Sequence, residues 1–318
     1  MVHISATAPG KIILFGEHAV VYGQPAIAVP VTDVRASATL EFTPATEGLR
    51  IAAPDLNRDY RLVEAAADDP LAAIIKLTLQ KLNQSIPLQA TLTVTSTIPL
   101  GRGMGSGAAI STAIARVLGQ FYQQMLPPAE VSSLVFEVEK LYHGTPSGID
   151  NTVVAFAWPV YFIKGQPIQR IRVAHPFTIV IGDTGVAAST REVVGAVRRR
   201  WQAEPARYDN YFAGIGVIAQ QARAIIEQGV GDGSALGRLM NDNQVLLETI
   251  GVSSPELERL IEAARKAGAL GAKLSGAGWG GNMIALIPGE STIIERVSEA
   301  LFGAGAVNVI VTEAGKNG

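Results

Sequence analysis

The residues best suited to chemistry lie in three glycine-rich clusters and one acidic pair. The densest cluster is Ile98-Pro99-Leu100-Gly101-Arg102-Gly103-Met104-Gly105-Ser106-Gly107, which runs directly into Ala108-Ala109-Ile110-Ser111-Thr112-Ala113. Glycine lets the backbone approach a ligand, successive N–H groups converge on oxygen atoms, and a following helix adds the positive end of its dipole. The segment therefore reads either as a phosphate cradle or as a plain turn capping a helix. It is not a Walker loop, which ends Gly-Lys-Ser/Thr where this one ends Gly105-Ser106-Gly107. It is not a dinucleotide fingerprint either. That pattern needs an acidic residue about 20 positions on, and the residues near Phe121 offer only Gln120, Gln123 and Gln124.

A second cluster, Pro9-Gly10-Lys11 through Gly16-Glu17-His18-Ala19-Val20-Val21-Tyr22-Gly23, puts a lysine, a carboxylate and an imidazole between glycines. Singly these are ordinary strand-end and half-buried groups; together they can wall a site. Glu139 stands one turn before a helix end, and the chain then turns through His143-Gly144-Thr145-Pro146-Ser147-Gly148-Ile149-Asp150-Asn151. Glu139 and Asp150 are a solvated helix charge and a turn former, or two carboxylates folded toward each other. Two such groups call for a cation or a proton between them. Mg²⁺ held by one or two carboxylates plus phosphates would serve, and the other carboxylate could accept a hydroxyl proton. The third cluster, Lys273-Leu274-Ser275-Gly276-Ala277-Gly278-Trp279-Gly280-Gly281, is a second loop built for close backbone approach. Two such loops in one chain favour nucleotide phosphate over two coincidental turns.

These residues need a scaffold, and the chain can supply one. Its 318 residues suit two domains or one large one, with 48% hydrophobic and 17% charged residues pointing to a compact globular protein. A net charge of −2 gives no field for nucleic acid or anionic lipid, so neither is an expected partner. Cysteine is absent, which excludes disulfides and thiolate chemistry. The start, Met1-Val2-His3-Ile4-Ser5-Ala6-Thr7, lacks a signal-peptide pattern. The most apolar run, Ala155–Ile163, is broken by Pro159 and falls short of the roughly 20 residues a membrane span needs. A cytoplasmic protein is expected.

Strands are expected at Lys11–Phe15, Ala26–Val31, Ala36–Phe42, Leu49–Ala52 and Gln89–Ser96, interrupted by a helix at Leu71–Leu82. Helices follow at Ser106–Gln123 and Pro127–Tyr142, with extended segments at Val153–Ile163 and Phe177–Gly182. The remainder reads as helices Arg191–Trp201, Tyr211–Gln228, Leu236–Thr249 and Pro255–Ala267, then strands Asn282–Ile287 and Val307–Val311. The order is α+β. A boundary between Gly165 and Ile171 divides it into domains 1–168 and 169–318.

Taken in order, these clusters resemble the GHMP kinase superfamily. The Glu17–Gly23 and His143–Asn151 runs narrow the resemblance to its mevalonate-phosphorylating branch, and Asp183-Thr184-Gly185 through Ser189-Thr190-Arg191 is similar to its substrate-side loop. The resemblance implies an N-terminal domain of ribosomal S5 domain 2-like fold and a ferredoxin-like C-terminal domain, together binding ATP, Mg²⁺ and mevalonate. It implies γ-phosphoryl transfer to the C5 hydroxyl of mevalonate, and a homodimer is a family expectation. Asp150 matches the family's base, Lys11 its partner lysine and Glu139 the magnesium ligand. Glu17, His18 and Thr190 match substrate contacts, while Arg191 suits the mevalonate carboxylate because a guanidinium forks onto such an anion. Pro99, Gly101, Gly103, Met104, Gly105, Ser106, Gly107, Ala108, Gly276 and Gly278 fall to the nucleotide. Where the family often carries a second serine that reaches Mg²⁺, this chain has Gly107, leaving Ser106 or water to complete the shell. A phosphomevalonate or sugar kinase is the alternative enzyme. A non-catalytic ATP-binding sensor is the alternative of another class, against which the retention of Lys11, Glu139 and Asp150 speaks.

Overall fold

The computed structural model describes residues 3–42, 47–87, 89–143, 146–229 and 233–315. The first elements are β1 (His3–Phe15), β2 (Ala26–Phe42), β3 (Leu49–Ala53), β4 (Arg58–Arg61), α1 (Pro70–Leu82) and β5 (Ala90–Ser96). Next come α2 (Ser106–Phe121), α3 (Pro128–His143), α4 (Ile149–Phe156), β6 (Val160–Phe162), β7 (Gln169–Arg170) and β8 (Phe177–Asp183). The chain continues through α5 (Thr190–Ala203), α6 (Pro205–Gln228), α7 (Ser234–Thr249) and α8 (Pro255–Lys266). It closes with β9 (Gly271–Ser275), β10 (Asn282–Ile287), α9 (Ser291–Gly303) and β11 (Asn308–Ala314).

Contacts gather these elements into two compact units that interleave along the chain. The first unit takes Met1–Gly10, Val34–Pro99 and Gly105–Ala157; the second takes Lys11–Asp33, Leu100–Met104 and Trp158–Gly318. Strands β1 and β2 are long enough to serve both, and the glycine cradle passes from one to the other after Met104.

In the first unit, Ala36–Phe42 of β2 runs antiparallel to β5, which lies parallel to β3, itself paired with β4. Leu40 faces Leu92 and Ala38 faces Val94, all buried, so the alternation seen in the sequence becomes the inner face of this sheet. Helix α1 begins where Asp69 accepts hydrogen bonds from the Leu71 and Ala72 amides, with Pro70 in the first turn. Helix α2 is lined on most sides by small buried residues, Ala108, Ala109, Ser111, Thr112, Ala113 and Ala115, which let α1, α3 and α4 pack closely against it.

The second unit carries a four-stranded antiparallel sheet in the order β11-β8-β10-β9. Helices intervene after β8 and after β10, so the unit is a β-α-β-β-α-β ferredoxin-like arrangement with extra helices in the first crossover. Val180, Ala272, Leu274, Met283 and Ala285 of the sheet pack with Leu257, Leu260 and Ile261 of α8 and with Val297 and Leu301 of α9. Within this unit Ala26–Ala28 of β2 also pairs with β6.

One expected element changes type. Val153–Ile163 is not a continuous extended run: α4 continues to Phe156 and only Val160–Phe162 is strand. A short apolar run carries no period that separates a buried helix from a buried strand. Here Gly148, in the left-handed region at φ 92°, starts a helix, and the Thr152 hydroxyl donates back to the Gly148 carbonyl at 2.6 Å. No helix among the described residues is long and apolar enough to cross a membrane.

Candidate active site

The first unit positions the acidic groups. Glu139 follows Val131, Val135 and Val138 on the buried side of α3 and is itself only 4% exposed. Its Oε1 lies 3.3 Å from where a Cβ would stand on Gly107, which places the carboxylate at the first turn of α2 beside Ser106. The positive end of that helix favours a negative charge there. Gly107 is not among the positive-φ residues, so its lack of a side chain serves the nearness of Glu139 and no unusual backbone shape. Ala108 is buried directly beneath.

Asp150 occupies the first turn of α4, again at a helix N-terminus. The Asn151 side-chain amide next to it donates to the Ser132 carbonyl at 3.1 Å and to the Ser132 hydroxyl at 2.9 Å, fixing α4 onto α3. Arg116 of α2 donates to the Ala155 carbonyl at 2.9 Å, holding the far end of the same helix. Within the expected His143–Asn151 run, Gly144 and Thr145 lie outside the described residues.

The second unit positions the basic group, Leu100–Met104 of the cradle and the third glycine loop, while Gly105 already belongs to the first unit. Lys11 is buried on β1, and its backbone N–H donates to the Met104 carbonyl at 3.0 Å. Gly101, Gly103 and Gly105 have φ of 69°, 77° and 70°, whereas Arg102 and Met104 between them do not have positive φ. That alternation turns successive N–H groups to one side, as in an anion-binding nest. A Cβ on Gly103 would come within 3.8 Å of the Ser275 carbonyl, so the first and third glycine loops pass in contact at Gly103 and Gly276. Gly278 is the tightest point of the third loop: a Cβ there would lie 2.0 Å from the Val252 carbonyl oxygen. Trp279 anchors this loop by donating from its indole to the Gly251 carbonyl at 2.9 Å.

His18 is 6% exposed, and its Nε2 donates to the Ala277 carbonyl at 2.8 Å. Burial pushes its pKa down to about 4, against the pull of that hydrogen bond, so the ring is neutral at physiological pH. Glu17, expected from the sequence among the substrate contacts, faces inward in this structure. Its side chain is fully buried and paired with Lys273, a partner far along the chain that removes the carboxylate from solvent. Thr190 and Arg191 are exposed at the start of α5, where the Ser189 hydroxyl accepts from the Glu192 amide at 3.3 Å.

Two contacts in this unit join residues that the sequence shows only singly. Arg102 sits 3.5 Å from Asp183 through its Nε, and its backbone carbonyl accepts from Asn282 at 2.5 Å. Asp183 in turn accepts from the Gly185 amide at 2.9 Å. These contacts tie the cradle to the turn after β8. The signals visible in the sequence are an arginine among glycines and the Asp183-Thr184-Gly185 run.

Among the described residues no three His, Cys, Asp or Glu side chains cluster as a metal cage. A hard cation such as Mg²⁺ commonly takes one or two carboxylates from the protein and the rest of its oxygens from phosphates and water. Glu139 at the first turn of α2, where Ser106 opens the helix, offers oxygen donors of the kind such a cation takes.

Comparison with known proteins shows the family. The family profile described as "GHMP kinases N terminal domain" matches residues 70–157, and that described as "GHMP kinases C terminal" matches residues 221–302. The mevalonate kinase of Thermococcus sibiricus is 36% identical, over 99% of this chain and 97% of its own. That of Pyrococcus abyssi is 35% identical, over 99% and 96%. A crystal structure of L. major mevalonate kinase in complex with R-mevalonate superposes with a TM-score of 0.85 at 30% identity, covering 98% of this chain and 95% of that one. The chain belongs to the GHMP kinase family, in its mevalonate kinase branch.

Proposed function

We propose that the protein transfers the γ-phosphoryl group of ATP to the C5 hydroxyl of mevalonate, giving 5-phosphomevalonate and ADP. The observation that carries this reading is the end-to-end similarity to mevalonate kinases in a chain that keeps Lys11, Glu139 and Asp150 on ordered elements. Asp150 accepts the C5 hydroxyl proton as the new O–P bond forms and the bond to the β-phosphate bridging oxygen breaks. Lys11 supplies positive charge that favours the deprotonated oxygen. The glycine nest and the α2 terminus orient the phosphates through backbone N–H groups. Glu139 and Ser106 would hold Mg²⁺, which supplies neutralisation of phosphate charge when bound. His18 accepts through Nδ1, the ring nitrogen left over once Nε2 donates to Ala277, and so suits a hydroxyl donor on the acceptor. Thr190 and Arg191 take the acceptor's carboxylate end, aided by the α5 terminus. Rate enhancement comes from positioning and preorganised charge, as general for phosphoryl transfer.

The test is ADP release by purified protein with mevalonate, 5-phosphomevalonate, galactose and homoserine in parallel. Mevalonate alone should support turnover. Turnover confined to 5-phosphomevalonate or galactose would move the protein to another branch of the family.

A further inference from the structure

Lys273 stands mid-strand in β9, leading into the third glycine loop, and its side chain is completely buried. An ammonium group in such a place requires partners. Nζ donates to Glu17 Oε1 and to the Leu274 carbonyl, the latter at 2.6 Å. Glu17 is equally buried, and its Oε2 has no hydrogen-bond partner among the described residues. Burial pushes the carboxyl up and the ammonium down, each opposed by the other's charge. A buried ion pair is weak evidence for stability, because a well-packed apolar pair does as well. Something other than stability should explain it.

The residue after Glu17 supplies the explanation. His18 has φ 60° and ψ −49°, and the Ala19 amide donates to the Glu17 carbonyl at 2.6 Å. This is a γ-turn of the rare, strained hand, centred on a residue with a large side chain. Strand β9 and the loop that follows it hold the end of β1 and this turn at alternate residues. Lys273 binds Glu17; Ser275 Oγ accepts from the Ile13 amide and donates to the Ile13 carbonyl, both at 3.0 Å; the Ala277 carbonyl accepts from His18. Residues 273 and 275 share one face of the strand because side chains alternate.

We infer that Lys273 is a positioning residue: through Glu17 it keeps the strained His18 turn, and with it the imidazole edge offered to the acceptor, in register with the nucleotide loop. The inference rests on the reading of His18 as an acceptor contact. Lys273 touches no substrate in this scheme, and its loss should register in acceptor binding rather than in nucleotide binding.

Lys273→Met alone would strand a buried carboxylate, so the decisive variant is Glu17→Gln/Lys273→Met, which removes both charges at nearly constant volume. Its thermal midpoint should stay close to that of the native protein. Its KM for mevalonate should rise about tenfold, the effect of one lost oriented hydrogen bond, with the KM for ATP nearly unchanged. In ¹H–¹⁵N spectra the His18 ring should titrate well above its native value of about 4, nearer ordinary histidine. A folded double variant with a native KM for mevalonate and an unshifted His18 ring would overturn the inference, as would equal rises in both KM values. If the double variant does not fold, Glu17→Gln, which keeps an acceptor for Lys273, decides by the same readouts, with a smaller shift expected. Should the native protein not phosphorylate mevalonate, the proposed function fails on that assay, while the His18 titration still tests the positioning device.

Discussion

Replacing His18 with Gln should flatten the loss of stability in mild acid. In the unfolded chain the imidazole titrates at its ordinary 6.5, whereas burial in the fold lowers it to about 4. Above pH 6.5 the ring is neutral in both states and contributes nothing. As the pH falls through 6.5 the unfolded chain takes up a proton that the folded chain refuses, so stability present above 6.5 is lost progressively toward pH 4. With these two values the loss is about 2 kcal/mol between pH 7 and pH 5 and about 3 kcal/mol by pH 4. The assay is urea unfolding at pH 7, 6 and 5, where most carboxylates stay ionised. The native protein should lose about 2 kcal/mol more than His18→Gln over that range, because the Gln amide can still donate to the Ala277 carbonyl but does not titrate. Equal slopes in the two proteins would refute the reasoning, showing that the ring takes up its proton inside the fold. The same neutral ring means that His18 places no limb near pH 6.5 in kcat/KM.

Asp150→Asn should lower kcat by roughly 10²–10⁴, the usual contribution of a general base, with ATP affinity preserved; a titration in which nucleotide binding collapses while kcat persists would make Asp150 structural. Glu139→Gln should raise the Mg²⁺ concentration for half-maximal activity far more than Ser106→Ala, since a carboxylate gives full charge to a hard cation and a hydroxyl only a dipole; an unchanged requirement in Glu139→Gln returns that residue to packing. Gly107→Ser should fold with a slightly higher melting temperature, serine being better than glycine within a helix by roughly 0.5 kcal/mol. Its Cβ would meet Glu139 Oε1 at 3.3 Å, a contact that a small shift of the carboxylate relieves. A soluble but inactive Gly107→Ser would show that the carboxylate tolerates no such shift.

Much of this architecture was legible because it depends on local pattern. The alternation at Leu92 and Val94, the Ser-Pro start at Ser254-Pro255 and the glycines at 101, 103 and 105 each announce a strand, a helix and a nest through near neighbours. Elements governed by distant contacts were not legible. β9 reads as a connection because Gly271-Ala272-Lys273-Leu274-Ser275 carries a charge mid-strand, and its countercharge, Glu17, lies 256 residues earlier. α9 shows just Val297 and Leu301 fully buried, too sparse a stripe to stand out. Helix α4 was misread because its apolar residues are buried and give no period. At the candidate site, the three glycine clusters and Glu139, Asp150, Lys11 and His18 stand out as candidates by residue type and spacing, and their roles come only with the family resemblance. The Arg102–Asp183 contact and the Glu17–Lys273 pair required the fold.

The most direct measurement of the central claim is phosphorus NMR of the product formed from mevalonate and MgATP, with proton coupling to locate the phosphate. A phosphomonoester coupled to the two C5 methylene protons, appearing in step with ADP, is the predicted result. Phosphate on the C3 oxygen, which bears no such protons, or ADP formed without any phosphorylated mevalonate, would contradict it.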